Sequence, residues 1–265
     1  MPQLEISEDT RIYYETAGTE GPWITLINGH TRPLSDFKSM TRYLVERGNR
    51  VLSFDNRGVG KTDCPAGFSL EDIAKDVVAL WDHLQIPKCT VLGISFGGTV
   101  ALTLASETAP DRVERLLLVS TAISDEHLSV EKEAPPRDPR RLIMNMTRYF
   151  SLEFAQKNPM IVQGFIRQVA RTYQDPELAL GARTQRDAME HFDFAPALEK
   201  IRARTLVLHG EKDQIVPVES AKKIAAGIPK AKLETFPVGH LLLVEMPVAF
   251  YERIQTFTRE QETSP

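Results

Sequence analysis

Gly93-Ile94-Ser95-Phe96-Gly97-Gly98 is the stretch on which the reading of this chain turns. It follows an apolar run, Cys89-Thr90-Val91-Leu92, that predicts a strand. It opens a segment of small and apolar residues, Gly97 to Ala109, that predicts a helix closed by Pro110. In that setting a G-x-S-x-G pattern has a steric meaning. The serine sits on a strained turn, and a side chain two residues to either side would collide with the adjoining strand and helix, so glycine occupies both places. The turn pushes the hydroxyl out at the end of the strand. It also sets the next backbone N–H at a helix N-terminus, where anions are favoured. The competing reading is a glycine-rich turn with an inert serine.

Outward from this turn the chain alternates. Gln3 to Ser7 and Arg11 to Thr16 flank the polar break Glu8-Asp9-Thr10 as a hairpin. Trp23 to Ile27 and Val51 to Phe54 are short apolar runs of the kind buried on both faces of a parallel sheet. Between them, Ser35 to Arg47 carries Phe37, Met40, Tyr43 and Leu44 at helical spacing and stops at Gly48. Ser69, with Asp72 three residues on, is the acidic variant of a capping box and opens a helix that runs to about Leu84. Val113 to Val119, Thr205 to Leu208 and Lys232 to Phe236 read as further strands, with helices over Val218 to Ile228 and Pro247 to Arg259. Strands alternating with helices predict an α/β fold with a mostly parallel sheet covered on both faces. From Ser124 to Ala195 no strand is read. Helical patterns such as Leu142-Met146-Tyr149-Phe150 and Phe165-Val169-Tyr173 take over. The expected division is a core of residues 1–123 and 196–265 and a helical cap insertion of residues 124–195.

The composition excludes several classes. At 265 residues, with 42% hydrophobic and 26% charged, the chain can bury a core without disulfide staples. A net charge of −4 gives no basic footprint for nucleic acid. No apolar run approaches the ~20 residues of a membrane span. Met1-Pro2-Gln3-Leu4-Glu5 lacks the basic-then-apolar pattern of a secretory signal. Cys64 and Cys89 have neither metal nor redox spacing and read as reduced thiols of a cytoplasmic protein. Val59-Gly60-Lys61-Thr62 alone does not make a phosphate loop, and no cluster has metal-ligand spacing, so neither cofactor nor metal is expected.

A serine hydroxyl needs a base near neutral pH. His240, in Pro237-Val238-Gly239-His240, follows the last predicted strand, at the sheet edge where catalytic groups of open α/β sheets gather. His209 ends a strand and competes, but reads better as a packing residue; His83 falls in a helix, and His127 and His191 fall in the insertion. The base needs an orienting acid, and Asp213 in the loop after the Leu206 strand is the candidate, with Glu211 and Asp125 as rivals. The order Ser95, Asp213, His240 is one of the known triad orders. An oxyanion needs two donors: the N–H of Phe96, and the N–H of His30 in the loop Asn28-Gly29-His30-Thr31. The His30 side chain reads as a hydrogen-bonded packing residue rather than a second base. Asp55 and Arg57 read as charges that tie loops together, with Asp55 as an alternative acid.

With these residues the chain resembles the α/β-hydrolase superfamily over nearly its whole length. The resemblance rests on Leu26-Ile27-Asn28-Gly29-His30, Phe54 to Gly60, the Ser95 turn, and Gly210-Glu211-Lys212-Asp213 with Gly239-His240. It is nearest to small capped carboxylesterases, enol-lactone hydrolases and cofactor-free haloperoxidase-like esterases. Asn28-Gly29 replaces the family's usual His-Gly. Serine at the turn, where dehalogenases carry aspartate, argues against dehalogenation. The resemblance implies cleavage of a small-molecule ester or lactone. Alternatives on the same fold are a C–C bond hydrolase, a perhydrolase, a carrier-protein methyl esterase and a slow-turnover ligand receptor. Candidate substrate contacts are Asn28, Met146, Phe150, Phe165 and Phe192, although packing within the cap would explain most of its aromatic and methionine residues. Arg141 with Arg148, and Arg167 with Arg171, could each share a helix face toward an acidic carrier, but acids such as Glu131, Glu133, Asp187 and Glu190 favour a mixed-charge surface.

Overall fold

In a computed structural model, which describes residues 2–128 and 144–260, the apolar runs pair into one sheet. Its strands are β1 (Gln3–Ser7), β2 (Thr10–Ala17), β3 (Trp23–Ile27), β4 (Arg50–Phe54), β5 (Cys89–Ile94), β6 (Val113–Val119), β7 (Arg204–Gly210) and β8 (Lys232–Phe236). The order across the sheet is β1-β2-β4-β3-β5-β6-β7-β8. The β1–β2 and β2–β4 pairs are antiparallel and the other five are parallel. All six residues of β5 are buried, as befits a strand covered on both faces. The edge strands β1 and β8 have no fully buried residue.

Alternating side chains divide the strands between two cores. Leu26, Leu92, Leu117, Val119, Leu206 and Leu208 face α1 (Lys38–Val45) and the C-terminal helix Pro247–Arg259. Val91, Leu116, Leu118 and Val207 face α2 (Leu70–His83), α3 (Phe96–Thr103) and the helix Val218–Gly227. The predicted capping box is present: Ser69 Oγ accepts from Asp72 N at 3.2 Å, and Asp72 Oδ2 accepts from Ser69 N at 2.9 Å.

The helix expected over Gly97 to Ala109 differs in its second half. It is α-helical to Thr103 and widens into a π turn over Leu104–Thr108, with Ala109 N donating to Leu104 O at 2.9 Å. Thr103 and Ser106 hydroxyls bond back to carbonyls four residues earlier, at 3.0 and 2.8 Å, which competes with regular helix geometry.

Between β6 and β7 lie α4 (Leu152–Lys157), α5 (Pro159–Gln174) and α6 (Pro176–Asp187); α7 (Val218–Gly227), α8 (Leu242–Glu245) and α9 (Pro247–Arg259) complete the chain. Ser124 and Asp193 pair as an isolated antiparallel bridge at the stem of this insertion. Leu142, Arg141, Glu131 and Glu133 lie outside the described residues. The insertion meets the core backbone to backbone. A Cβ on Gly181 of α6 would stand 1.9 Å from the Gly58 carbonyl oxygen, and Gly58 itself holds φ +73. Gly181→Ala should therefore lower stability by ~1–3 kcal/mol through overpacking. It should melt several degrees below wild type by calorimetry; an unchanged melting temperature would show that the seam admits a methyl group.

Candidate active site

The turn after β5 carries the strain that its sequence predicts. Ser95 sits at φ 53, ψ −115, between the last residue of β5 and the first of α3. A Cβ on Gly93 would lie 2.2 Å from the Gly97 oxygen, and one on Gly97 would lie 2.1 Å from the Ile27 oxygen of β3. Hence neither position admits a side chain. Ser95 N donates to Val119 O at 2.8 Å, which ties the turn to β6. Phe96 is the first residue of α3, so its N–H belongs to the set that a helix leaves without an internal partner.

Asp213 and His240 meet as predicted. His240 Nδ1 donates to Asp213 Oδ2 at 2.7 Å, with side chains 2% and 0% exposed. The other carboxylate oxygen accepts from Ile215 N at 2.8 Å and Val216 N at 2.9 Å. Burial raises the Asp213 pKa, but the charge and hydrogen bond of His240, the charge of His209 and the backbone donor outweigh it. The carboxyl is held below the usual range. The rivals are occupied elsewhere. His209 is fully buried and donates from Nε2 to Val216 O at 2.9 Å, and burial lowers its pKa. Glu211 accepts from the Thr235 hydroxyl at the surface, and Asp125 accepts from His191 N. Asp55 accepts from Leu34 N at 2.7 Å and Lys61 N at 3.0 Å, which is the loop-tying role.

Three residues that sequence reasoning missed hold His240 in place. The Tyr149 carbonyl accepts from His240 N at 3.0 Å, and its ring stands edge-on to the imidazole at 5.5 Å. Ser120, itself at φ 49, donates its hydroxyl to His240 O at 2.8 Å. Glu245 accepts from Gly239 N at 3.0 Å and Ser151 N at 2.7 Å, joining the His240 loop to the insertion. The bonds from Ser120 and Tyr149 to His240, and from Glu245 to Ser151, join residues distant in sequence, so no local pattern announces them.

The loop after β3 is shaped by Asn28. Its Oδ1 accepts from Gly29 N at 2.8 Å and its Nδ2 donates to Pro33 O at 2.9 Å, so the amide braces the loop where the usual histidine is missing. Thr31 N donates to Gln185 Oε1 and Arg32 N to Gly29 O. Among the described residues no acceptor meets the His30 N–H, the donor predicted for an oxyanion. The His30 ring donates from Nε2 to Ala182 O at 2.8 Å and packs edge-on to Phe96, consistent with a packing role.

Ser95, His240, His30 and Phe96 line one cavity of about 470 Å³ beneath the insertion. Asn28, Met146 and Phe165, the expected substrate contacts, also line it. Phe150 and Phe192 do not, and those two assignments are corrected. Phe150 is 1% exposed and packs between Phe154 and Phe165, while Phe192 packs on Phe194 in the core. Each is drawn into apolar packing, Phe150 behind the cavity-lining Phe165 and Phe192 within the core, rather than into the cavity wall. Arg32, at the cavity margin, pairs with Asp36 at 2.6 Å and lies 5.1 Å over the Phe165 ring. Arg167 and Arg171 are exposed on α5; of the other predicted pair, Arg148 donates to Gln214 O at 2.8 Å and Arg141 lies outside the described residues.

A family model described as alpha/beta hydrolase fold matches residues 22–247. The chain is 27% identical over 256 residues to 3-oxoadipate enol-lactonase 2 of Acinetobacter baylyi, covering 94% of this chain and 93% of that protein. It is 28% identical over 257 residues to a non-heme haloperoxidase of Rhodococcus erythropolis, covering 89% and 91%. Among solved structures, the enol-lactonase from Burkholderia xenovorans LB400 superposes with a TM-score of 0.85 at 25% identity, covering 98% and 100%.

The half-buried His30 ring should make stability depend on pH. Burial, with a contribution from the Arg186 charge, lowers its pKa from 6.5 to about 4, against the opposing bond to Ala182. The unfolded chain therefore binds this proton near pH 6.5, and the folded protein does so only near pH 4. Stability should fall as the pH drops through that window and level off below it. Because the residue remains partly open to the cavity, the loss is ~1–3 kcal/mol. Urea unfolding at both ends of the window should show a smaller loss for His30→Phe; equal losses would place a charged imidazole in the folded state.

Proposed function

The chain belongs to the alpha/beta hydrolase family, and from that premise we propose that it hydrolyses carboxylic esters through a covalent acyl-enzyme on Ser95. The observation that carries this reading is the bond of 2.7 Å from His240 Nδ1 to Asp213, beside a serine on a strained turn in the same cavity. With Nδ1 carrying its proton toward the carboxylate, Nε2 is the basic nitrogen. Ser95 Oγ attacks the ester carbonyl as Nε2 takes its proton. The tetrahedral oxyanion is held by the N–H groups of Phe96 and His30. Collapse expels the alcohol, which takes the proton back from His240, and water then repeats the sequence on the acyl-enzyme. Asp213 fixes the tautomer and steadies the imidazolium, without itself taking the proton. We assign residues 124–195 as the cap that sets substrate choice, since described residues of this segment, Met146 and Phe165 among them, stand in the cavity wall with Ser95.

A lactone is the second reading. It is favoured by likeness to two enol-lactonases over nearly the full length of each chain. A lactone is an internal ester, so the same steps apply, with the leaving alkoxide still tethered to the acyl group. Hydrolysis of p-nitrophenyl esters from acetate to decanoate, alongside simple and enol lactones, separates the two.

Ser95→Ala should fold normally, lose labelling by a fluorophosphonate and lose turnover on every substrate. Asp213→Asn should keep the fold and lower kcat by ~10⁴-fold through the wrong imidazole tautomer. Full labelling of the alanine variant would overturn the assignment of the nucleophile.

A further inference from the structure

The loop that presents the His30 N–H contains a conformational anomaly. Arg32 N donates to Gly29 O at 3.1 Å, so Gly29-His30-Thr31-Arg32 forms a tight turn. Its third residue, Thr31, lies at φ 61. Turns with positive φ at that position normally place glycine or asparagine there, and a β-branched residue is an outlier. Reversing the peptide between His30 and Thr31 would return Thr31 to negative φ and relieve the strain. Something must oppose that reversal.

The opposing group comes from the insertion. Gln185 of α6 is fully buried, and its Oε1 accepts the Thr31 N–H at 2.9 Å. That N–H belongs to the very peptide that would reverse. Were it to turn, the His30 carbonyl oxygen would face Gln185 Oε1, two acceptors in a dry seam. The amide cannot simply rotate to offer its NH2, because Nε2 donates to Arg57 O at 3.0 Å. Arg57 is in turn fixed by two bonds to Asp76 of α2, at 2.6 and 2.7 Å. One helical turn of α6 thus supplies three contacts to this region: Gly181 against Gly58, the Ala182 carbonyl to the His30 ring, and Gln185 to Thr31.

We propose that Gln185 is a positioning residue for catalysis: it locks the strained His30–Thr31 peptide, and with it the conformation of the turn whose preceding peptide, Gly29–His30, carries the oxyanion donor. The proposal rests on the reading of Ser95 as nucleophile and His30 N–H as oxyanion donor. It assigns the insertion a part in transition-state stabilisation, beyond walling the cavity.

The test is a kinetic cycle on full-length protein with p-nitrophenyl butyrate. Gln185→Met keeps the length of the side chain and removes both bonds. Its kcat should fall by ~100-fold with KM changed by no more than about twofold. Affinity for an alkyl boronic acid, whose adduct on Ser95 places an oxygen in the oxyanion site, should fall in parallel with kcat. Thr31→Gly, for which positive φ carries no strain, should restore most of the lost kcat when combined with Gln185→Met. A residue that merely docks the insertion would raise KM and would gain nothing from Thr31→Gly, and that result overturns the proposal; a lower melting temperature is expected of either role, because two buried hydrogen bonds are lost. Gln185→Glu covers the case in which the methionine variant does not fold. It keeps an acceptor for Thr31 and gives up the donor to Arg57, so it should retain most of kcat, and a loss as deep as ~100-fold would assign the effect to the Arg57 contact instead. The wild-type arm isolates the underlying reading. If fluorophosphonate does not label Ser95, that reading fails whatever Gln185 does; if labelling is normal and kcat is indifferent to Gln185→Met, only the present proposal fails.

Discussion

Ser95 occupies a backbone conformation that costs a serine ~1–3 kcal/mol, and the elements around it are placed so that it has no way to relax. Gly93 and Gly97 let β5, α3 and the end of β3 pass at distances no side chain would permit. A relaxed turn would push these backbones apart and break the packing of β5 at the centre of the sheet. Two neighbours repeat the arrangement. Thr31, beyond β3, and Ser120, just past β6, also hold positive φ without being glycine. The loops that leave three adjacent strands therefore hold residues away from their preferred conformations: Ser95 is itself the assigned nucleophile, Thr31 follows the assigned oxyanion donor His30, and Ser120 bonds the assigned base His240. The stability of the sheet holds the strain, and the strain aims the groups.

Electrostatics at the site follow from the same enclosure. Asp213 is dry, yet its carboxylate is favoured because backbone N–H groups and an imidazole surround it. His209, equally dry and within 3.4 Å of the same carboxylate, has its Nε2 on the Val216 carbonyl. Its Nδ1 meets no partner among the described residues. Two histidines thus flank one acid and differ in their other bonds: the Nε2 of His209 is taken by a backbone carbonyl, while His240 meets the carboxylate through Nδ1 and lines the cavity.

The sequence made local features legible. The Ser95 turn, the capping box at Ser69 and the strands Trp23–Ile27, Val113–Val119 and Lys232–Phe236 are written in contiguous residues, and the structure places them where the pattern does. Asp213 and His240 were readable because each follows a strand end, and strand ends of a parallel sheet converge. Gln185, Tyr149 and Glu245 were not readable. Gln185 acts on Thr31, Tyr149 on His240 and Glu245 on Ser151 as well as nearby Gly239, and nothing in a run of helical residues says which one will meet a particular peptide. Phe150 and Phe192 failed for a related reason: aromatic content marks an apolar segment but not which side of it faces a void. The π turn at Leu104–Thr108 depends on how hydroxyls compete for carbonyls, which spacing does not encode.

The seam at Gly58 and Gly181 bears on how such an enzyme could change substrates. Gly181, Ala182 and Gln185 form one stripe along α6, pressed against the core, whereas Arg186 on another side of that helix and Met189 just beyond its end line the cavity. The two stripes answer to different demands. The docking stripe has no spare volume, so drift there is checked by folding itself. The cavity stripe, with Met146, Phe165 and Val169 on neighbouring segments, is free to vary in size and polarity while the backbone stays in place. A library confined to those cavity positions would explore new substrates without dismantling the scaffold, and divergence within such a lineage would accumulate on one side of a helix and spare the other.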